Sequence, residues 1–311
     1  MNQFENRKII VSSSGENSLN IIEPNKDFKM SKVNYTDMCF DKIKHKIDDK
    51  VFNYRTHSIF KNSKPNIIYL VNSYGNNILK IDISKREIID LVYVGCCPSH
   101  IAISDEYIYI TNSDSNSISI VDIEEFNLIK NISVGEKPHD IKIDKQNNKL
   151  YIANSNEYTI SVIDLNQDKD EKIYMDILPL HFHILDENML ILSCECENMK
   201  SSISFLNLKN QKILKRIFIE ETLLDMVILK DKNIIFSTNG GDGFLYKINY
   251  ITDSIDKIYL GGMPNDILWD GDNILYITDL VKNSLLVFDI NKNSIVNQIY
   301  VGKEPNGLIF L

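Results

Sequence analysis

The chain is poor in several things. It holds one tryptophan, five cysteines, seven prolines and twelve glycines in 311 residues. So little Gly and Pro excludes collagen-like and low-complexity chains. An odd cysteine count without an export signal argues against a disulfide framework, so reduced thiols in a cytoplasmic protein are expected. No stretch approaches the roughly 20 apolar residues of a membrane helix. Within Met1–Gly15 only Ile9-Ile10-Val11 is an apolar run, too short for the core of a secretory signal. Positive charge is also scarce: 34 Lys and Arg face 43 Asp and Glu, a net charge of −9. Nucleic acids and anionic membranes recruit positive fields, so neither is an expected partner. Helical periodicity is not sustained anywhere, the charged stretch Asp41–Lys50 being the one approach to it.

What is present is a repeat. Tyr69-Leu-Val-Asn72, Tyr109-Ile-Thr-Asn112, Tyr151-Ile-Ala-Asn154 and Tyr276-Ile-Thr-Asp279 are its clearest copies. Ile10-Val-Ser-Ser13, Ile191-Leu-Ser-Cys194 and Phe236-Ser-Thr-Asn239 are weaker ones. Each precedes an alternating segment that ends in an acid or amide: Glu23, Asp82, Asp122, Asp164, Asn207, Asn249 and Asp289. Successive end marks lie 59, 40, 42, 43, 42 and 40 residues apart. Periods near 40–45 residues with four strand-like stretches are those of β-propeller blades. Alternation as in Ser117-Ile-Ser-Ile-Val-Asp122 supplies the strands, and Asn112-Ser-Asp-Ser-Asn116 the turn chemistry.

A third mark opens the units: Val94-Gly-Cys-Cys-Pro98, Val134-Gly-Glu-Lys-Pro138, Leu260-Gly-Gly-Met-Pro264 and Val301-Gly-Lys-Glu-Pro305, with Pro179 and Leu223 in the same place elsewhere. The chain ends on an opening strand, Pro305–Phe310, whereas the first unit, Lys8–Glu23, lacks one. The expectation is an all-β, single closed seven-bladed propeller over residues 1–311, made of four-stranded antiparallel blades, whose C-terminal strand completes the N-terminal blade and removes an exposed edge. Extra residues are assigned to an insertion within 24–54. Thr56-His-Ser-Ile59 is preferred to Thr36–Phe40 as the opening strand of the second blade.

The marks Val-Gly-x-x-Pro, Tyr-Ile-Thr-Asn and Ile-Ser-Val-Ile-Asp resemble the YVTN-type repeat of YncE-like propellers over nearly the whole chain. That resemblance implies the propeller fold. Its relatives range from surface-layer and periplasmic proteins to lactonase-like enzymes, so it implies no one activity.

Residues just past each opening mark converge on one mouth of the channel, where propellers usually bind ligands. Two positions past the mark stand Ser58, His100, Asp140, His181, Asp225, Asp266 and Gly307. His57 and His139 stand one position earlier, and His183 two later. Five of the six histidines thus fall beside a mark. Because Gly307 shares the position, the fold itself is read as indifferent to residue type there. The candidate ligand-binding residues are His57, His100, His139, Asp140, His181, His183, Asp225 and Asp266. Such a rim can bind a small polar molecule or peptide, hold a divalent metal, or act as acid and base. The blander reading is that these side chains bond backbone N–H groups of the next blade.

The leading functional reading is a monomeric cytoplasmic binding propeller. Alternatives are a metal-assisted, lactonase-like hydrolase or lyase using the same rim, and a structural scaffold for a protein partner. No cofactor is called for beyond that divalent metal. Elsewhere, Asn72, Asn112, Asn154, Asn239 and Asp279 read as turn caps. Cys194-Glu-Cys196 and Cys96-Cys97 read as thiols without a second ligand pair. Asp164-x-Asn166-x-Asp168-x-Asp170 lacks the glycine and glutamate of a calcium loop. Trp269-Asp270 falls on an opening strand and is no WD repeat.

Overall fold

In the computed structural model, which describes residues 7–46, 55–167, 169–195 and 200–311, the repeat marks become strands and turns. Cys196, Asp168 and residues 47–54 lie outside these. The Tyr-Ile-Thr-Asn mark is the second strand of its blade, as in Tyr107–Asn112, and the next alternating segment is the third, Ser117–Asp122. The two pair antiparallel, with Asn112 opposite Ser117 and Asp122 opposite Tyr107. The turn between them needs one left-handed residue, and Asn supplies it at Asn76, Asn116 and Asn283 with φ of 52°, 50° and 53°. The acid at the end mark closes the following turn. Asp122 Oδ1 accepts the N–H groups of Glu124 and Glu125 at 2.8 Å each, and Asp289 Oδ1 accepts those of Asn291 and Lys292 at 2.9 Å each. An aspartate there satisfies two donors that a tight turn would otherwise leave bare.

Seven four-stranded antiparallel sheets result, arranged as the blades of a ring. Innermost are Thr56–Lys61 of blade 2, Pro98–Ile103 of blade 3, Pro138–Asp144 of blade 4, Pro179–Leu185 of blade 5, Leu223–Leu229 of blade 6 and Pro264–Trp269 of blade 7. Blade 1 takes its innermost strand from the C-terminus: Pro305–Phe310 pairs with Ile9–Ser13, placing Ile9 opposite Phe310 and Val11 opposite Leu308. Leu311 N–H adds a bond to Lys8 O at 2.8 Å. The ring is closed by this pairing, as the unpaired marks at the two ends of the chain required. Between blades the alternating apolar faces meet. Tyr109, Ile118 and Ile120 of blade 3 pack with Ile141, Leu150 and Ile152 of blade 4, all buried. Each such side chain contributes about 1.5–3 kcal/mol through burial.

Blade 1 ends with its outer strand, Lys29–Asn34, and Thr56–Lys61 opens blade 2. Between them, residues 35–46 run along the outer strand of blade 2. Cys39 N–H donates to Arg86 O at 3.0 Å and Cys39 O accepts from Ile88 N–H at 2.9 Å. Tyr35 is buried, its hydroxyl 2.8 Å from Thr56 Oγ1. Part of the edge of blade 2 is thereby covered. Asp41–Lys46, the start of the charged stretch, forms a short 3₁₀ turn.

Candidate functional site

The innermost strands do not run evenly into the channel. In blade 3, Pro98 pairs with Asn112 and Ile101 with Ile110, so two residues on one side span one on the other. The same irregularity follows Pro138, Leu223 and Pro264, with similar ones after Thr56 and Pro179. A bulge of this kind bends the strand and re-aims its side chains. The proline ends regular pairing, and the bulge turns the following residues inward. His57, His100, His139, Asp140, His181, His183, Asp225 and Asp266 all line one cavity of about 470 Å³ at the centre of the ring.

Blades 2 to 5 give that cavity a wall of imidazoles. Ring centroids of His57 and His100 are 5.0 Å apart, those of His100 and His139 4.7 Å, and those of His139 and His181 4.9 Å, all in edge-to-face arrangements. His100 Nδ1 is buried with no hydrogen-bond partner among the described residues. Burial, then the neighbouring His181, lowers His57 to about 4. Burial is also the main cause that holds His100 and His139 well below the ordinary imidazole value. Three of the four rings are therefore neutral near pH 7.

His181 is shifted the other way. Burial alone would lower it, but its Nδ1 lies 3.6 Å from Asp140 Oδ2, and that carboxylate raises its pKa. Asp140 is 1% exposed, and burial alone would raise it. The Lys142 ammonium, 3.0 Å from Oδ1, and His181 overcome that and hold the carboxyl well below its usual range. On the far wall, Asp225 lies 3.9 Å from His183 Nε2 and is lowered despite its burial. Its neighbour Asp266 is pushed up to about 7 by burial and by the charge of Asp225. Two carboxyl groups sharing one side of a cavity cannot both ionise freely.

The three aspartates also fasten blades together. Asp140 Oδ2 accepts Phe182 N–H at 2.9 Å, Asp225 Oδ2 accepts Ile267 N–H at 3.1 Å, and Asp266 Oδ2 accepts Gly307 N–H at 2.6 Å. In each case donor and acceptor are on neighbouring blades. The blander reading thus describes one oxygen of each aspartate while the side chain still faces the cavity. It does not describe His57, His100 or His139, whose ring nitrogens bond nothing among the described residues. The reading of Gly307 as evidence of an indifferent position is corrected. Its φ is +105°, and a Cβ there would lie 2.8 Å from Ser12 Oγ. Glycine is demanded by the backbone of the closing strand.

Sequence reasoning missed Lys142, Phe60, Asn265 and Asn306, which line the same cavity. Lys142 and Phe60 stand two residues beyond Asp140 and Ser58, so strand alternation could have found them as it found His183. The other singled-out residues take structural roles. Asn239 Oδ1 accepts Gly241 and Asp242 N–H at 2.6 and 2.8 Å, and Asp279 Oδ1 accepts Val281 and Lys282 N–H at 3.1 and 2.8 Å. Asp164 Oδ1 caps its own turn through Asn166 and Gln167. Cys96 and Cys97 are free thiols in the entry loop of blade 3. Trp269 ends an innermost strand, its Nε1–H donating to Asp272 O at 3.2 Å.

A family model described as a seven-bladed β-propeller lactonase matches residues 57–171, just over a third of the chain. No curated protein sequence matches the chain. Among solved structures, hydrazine synthase of Kuenenia stuttgartiensis is similar with a TM-score of 0.73 and 18% identity, over 81% of this chain and 88% of that one. A putative 6-phosphogluconolactonase of Bacteroides fragilis gives 0.74 and 12%, over 100% and 99%. The periplasmic gluconolactonase of Pseudomonas aeruginosa gives 0.74 and 11%, over 98% and 99%. What this chain shares with these three is the fold, a propeller that here has seven blades.

Proposed function

We propose that this YVTN-type, YncE-like propeller is a cytoplasmic hydrolase that opens a small polar lactone or ester inside its channel. The observation that carries this reading is the His181–Asp140 pair, joined across blades 4 and 5 within the cavity. In its neutral form, with Nδ1–H turned to the carboxylate, His181 keeps the Nε2 lone pair for a reacting molecule, and Asp140 orients the ring. Water gives a proton to Nε2 as its oxygen attacks the ester carbonyl. The Lys142 ammonium, on the same wall, stabilises the oxyanion that forms. Collapse breaks the bond to the ring oxygen, which takes the proton back from His181. The sum is lactone plus water to hydroxy acid. The lactonase model supports the reading, since its matched stretch contains Asp140 and Lys142, though it ends before His181.

Initial rates with a panel of sugar and aliphatic lactones test the proposal. His181→Ala should lower kcat/KM by about 100-fold or more, the usual contribution of a positioned proton-transfer group, while hydroxy-acid binding persists. The second reading, a binding protein without chemistry, is favoured by the three aspartates that spend oxygens on backbone N–H groups. Saturable hydroxy-acid binding with no turnover on any lactone selects it.

A further inference from the structure

Beside the His181–Asp140 pair lie three imidazoles for which neither the fold nor the proposed hydrolysis provides a partner. His57, His100 and His139 come from successive blades, and one nitrogen of each lies within 4.8 Å of the other two. We propose that these three side chains bind one divalent transition ion of the Zn²⁺ class, with its fourth position open to the channel.

Donor chemistry selects the ion. Imidazole favours zinc, copper, nickel and iron, whereas calcium and magnesium favour oxygen. Nitrogens 2.0–2.1 Å from a tetrahedral ion stand about 3.3 Å from one another. No hydrogen bond among the described residues holds the three rings against that contraction. The buried, unpartnered Nδ1 of His100 fits this: a buried polar nitrogen without a partner is costly, and a cation would supply one. Three protein ligands and one open position define a catalytic rather than a structural zinc site.

A second set, His100, Asp140 and His181, also places its ligand atoms within 4.8 Å of one another. Its chemistry is worse. Both Asp140 oxygens already accept backbone N–H groups, from Ile141 and Phe182, and the Lys142 ammonium stands 3.0 Å from one of them. A cation there would displace those bonds and face a fixed positive charge. His181 and Asp140 instead flank the three-histidine site, His181 being 4.9 Å ring to ring from His139. In the proposed hydrolysis, on which only this last step rests, a bound ion would acidify the water whose proton His181 accepts.

The test is direct binding to the untagged full chain after chelation. Zn²⁺ is titrated by calorimetry, and Co²⁺ is used as a visible-absorption probe of tetrahedral geometry. One equivalent should bind, and His57→Ala and His139→Ala should each weaken it by more than about 100-fold, beyond the 10–100-fold that changes around a metal's ligands produce. Asp225→Asn, on the opposite wall, should leave it within about 3-fold. Unchanged circular dichroism shows that the variants fold. If one does not, His57→Asn and His139→Asn replace it. Binding lost in Asp140→Asn but kept in His57→Ala assigns the ion to the second set and overturns the proposal. So does no binding at all, or an octahedral Co²⁺ spectrum. Failure of the hydrolase reading looks different: the metal binds as described, yet no lactone is turned over with or without it.

Discussion

Asp140 Oδ2 lies 2.9 Å from Phe182 N and 3.6 Å from His181 Nδ1, so one oxygen of blade 4 bonds the backbone and faces the imidazole of blade 5. Scaffold and site share an atom. Asp140→Ala leaves the buried Phe182 N–H without its acceptor, which costs about 1–3 kcal/mol. The expected outcome is a clear fall in thermal stability for Asp140→Ala and a smaller one for His181→Ala, whose ring is partly exposed. Equal melting temperatures for the two variants would show that the backbone bond contributes little.

Much of this arrangement was legible because repeat and strand periods are written in local residue types. The Tyr-Ile-Thr-Asn and Val-Gly-x-x-Pro marks specify strand, turn and entry loop, and the ring follows from counting them. The convergence of the histidines was legible for the same reason, as each follows a mark. Partner choice was not legible. Nothing in Pro138-His139-Asp140 tells whether the aspartate meets a backbone N–H, an imidazole or a lysine, because Phe182, His181 and Lys142 reach it through the bulges and the packing of two blades. Nor did Gly307 show its reason until its φ was known.

Closure of the ring makes the second prediction. Deleting residues 306–311 bares the edge of Ile9–Ser13 and removes Ile309 and Leu311 from the core between blades 1 and 2. The truncated chain should lose cooperative melting, or pair through the bared edge into dimers and larger species seen by light scattering. Gly307→Ala is the milder version. It forces a Cβ at φ +105° to within 3.0 Å of Ile59 Cγ1, and strain of this kind costs about 1–3 kcal/mol. A truncation that melts as sharply as the full chain, at the same temperature, would overturn the closure argument.

Lys142 makes the third. Its ammonium is 3.0 Å from Asp140 Oδ1 and lines the cavity. Lys142→Met keeps the stem and removes the charge. If that charge stabilises the oxyanion, kcat should fall with little change in KM, and Lys142→Arg should recover part of the loss. A rise in KM with kcat unchanged would assign Lys142 to ground-state binding.

The last prediction concerns Asp266. Burial and the Asp225 charge raise its folded pKa to about 7 against an ordinary value of 3.8, while Gly307 N–H and His181 pull the other way. Also within reach are Asn265, whose Nδ2 donates to Asp266 Oδ1 at 3.1 Å, and His183 beside Asp225. Between pH 4 and 7 the folded chain therefore holds a proton at this group that the unfolded chain has released. Stability falls with rising pH wherever the folded state binds more protons. This contribution is complete below pH 4 and is lost as pH rises through about 7. Asp266→Asn imitates the protonated form and keeps an oxygen for Gly307 N–H. Relative to the natural chain, its melting temperature should be similar at pH 4, begin to rise above it by pH 5, and be higher by roughly 2 °C or more at pH 8. The difference between the two proteins isolates Asp266 from the titration of the histidines, which both contain. A difference that is flat across this range, or that shrinks with rising pH, would mean that Asp266 is already ionised at pH 5 and that the two carboxylates do not share a proton.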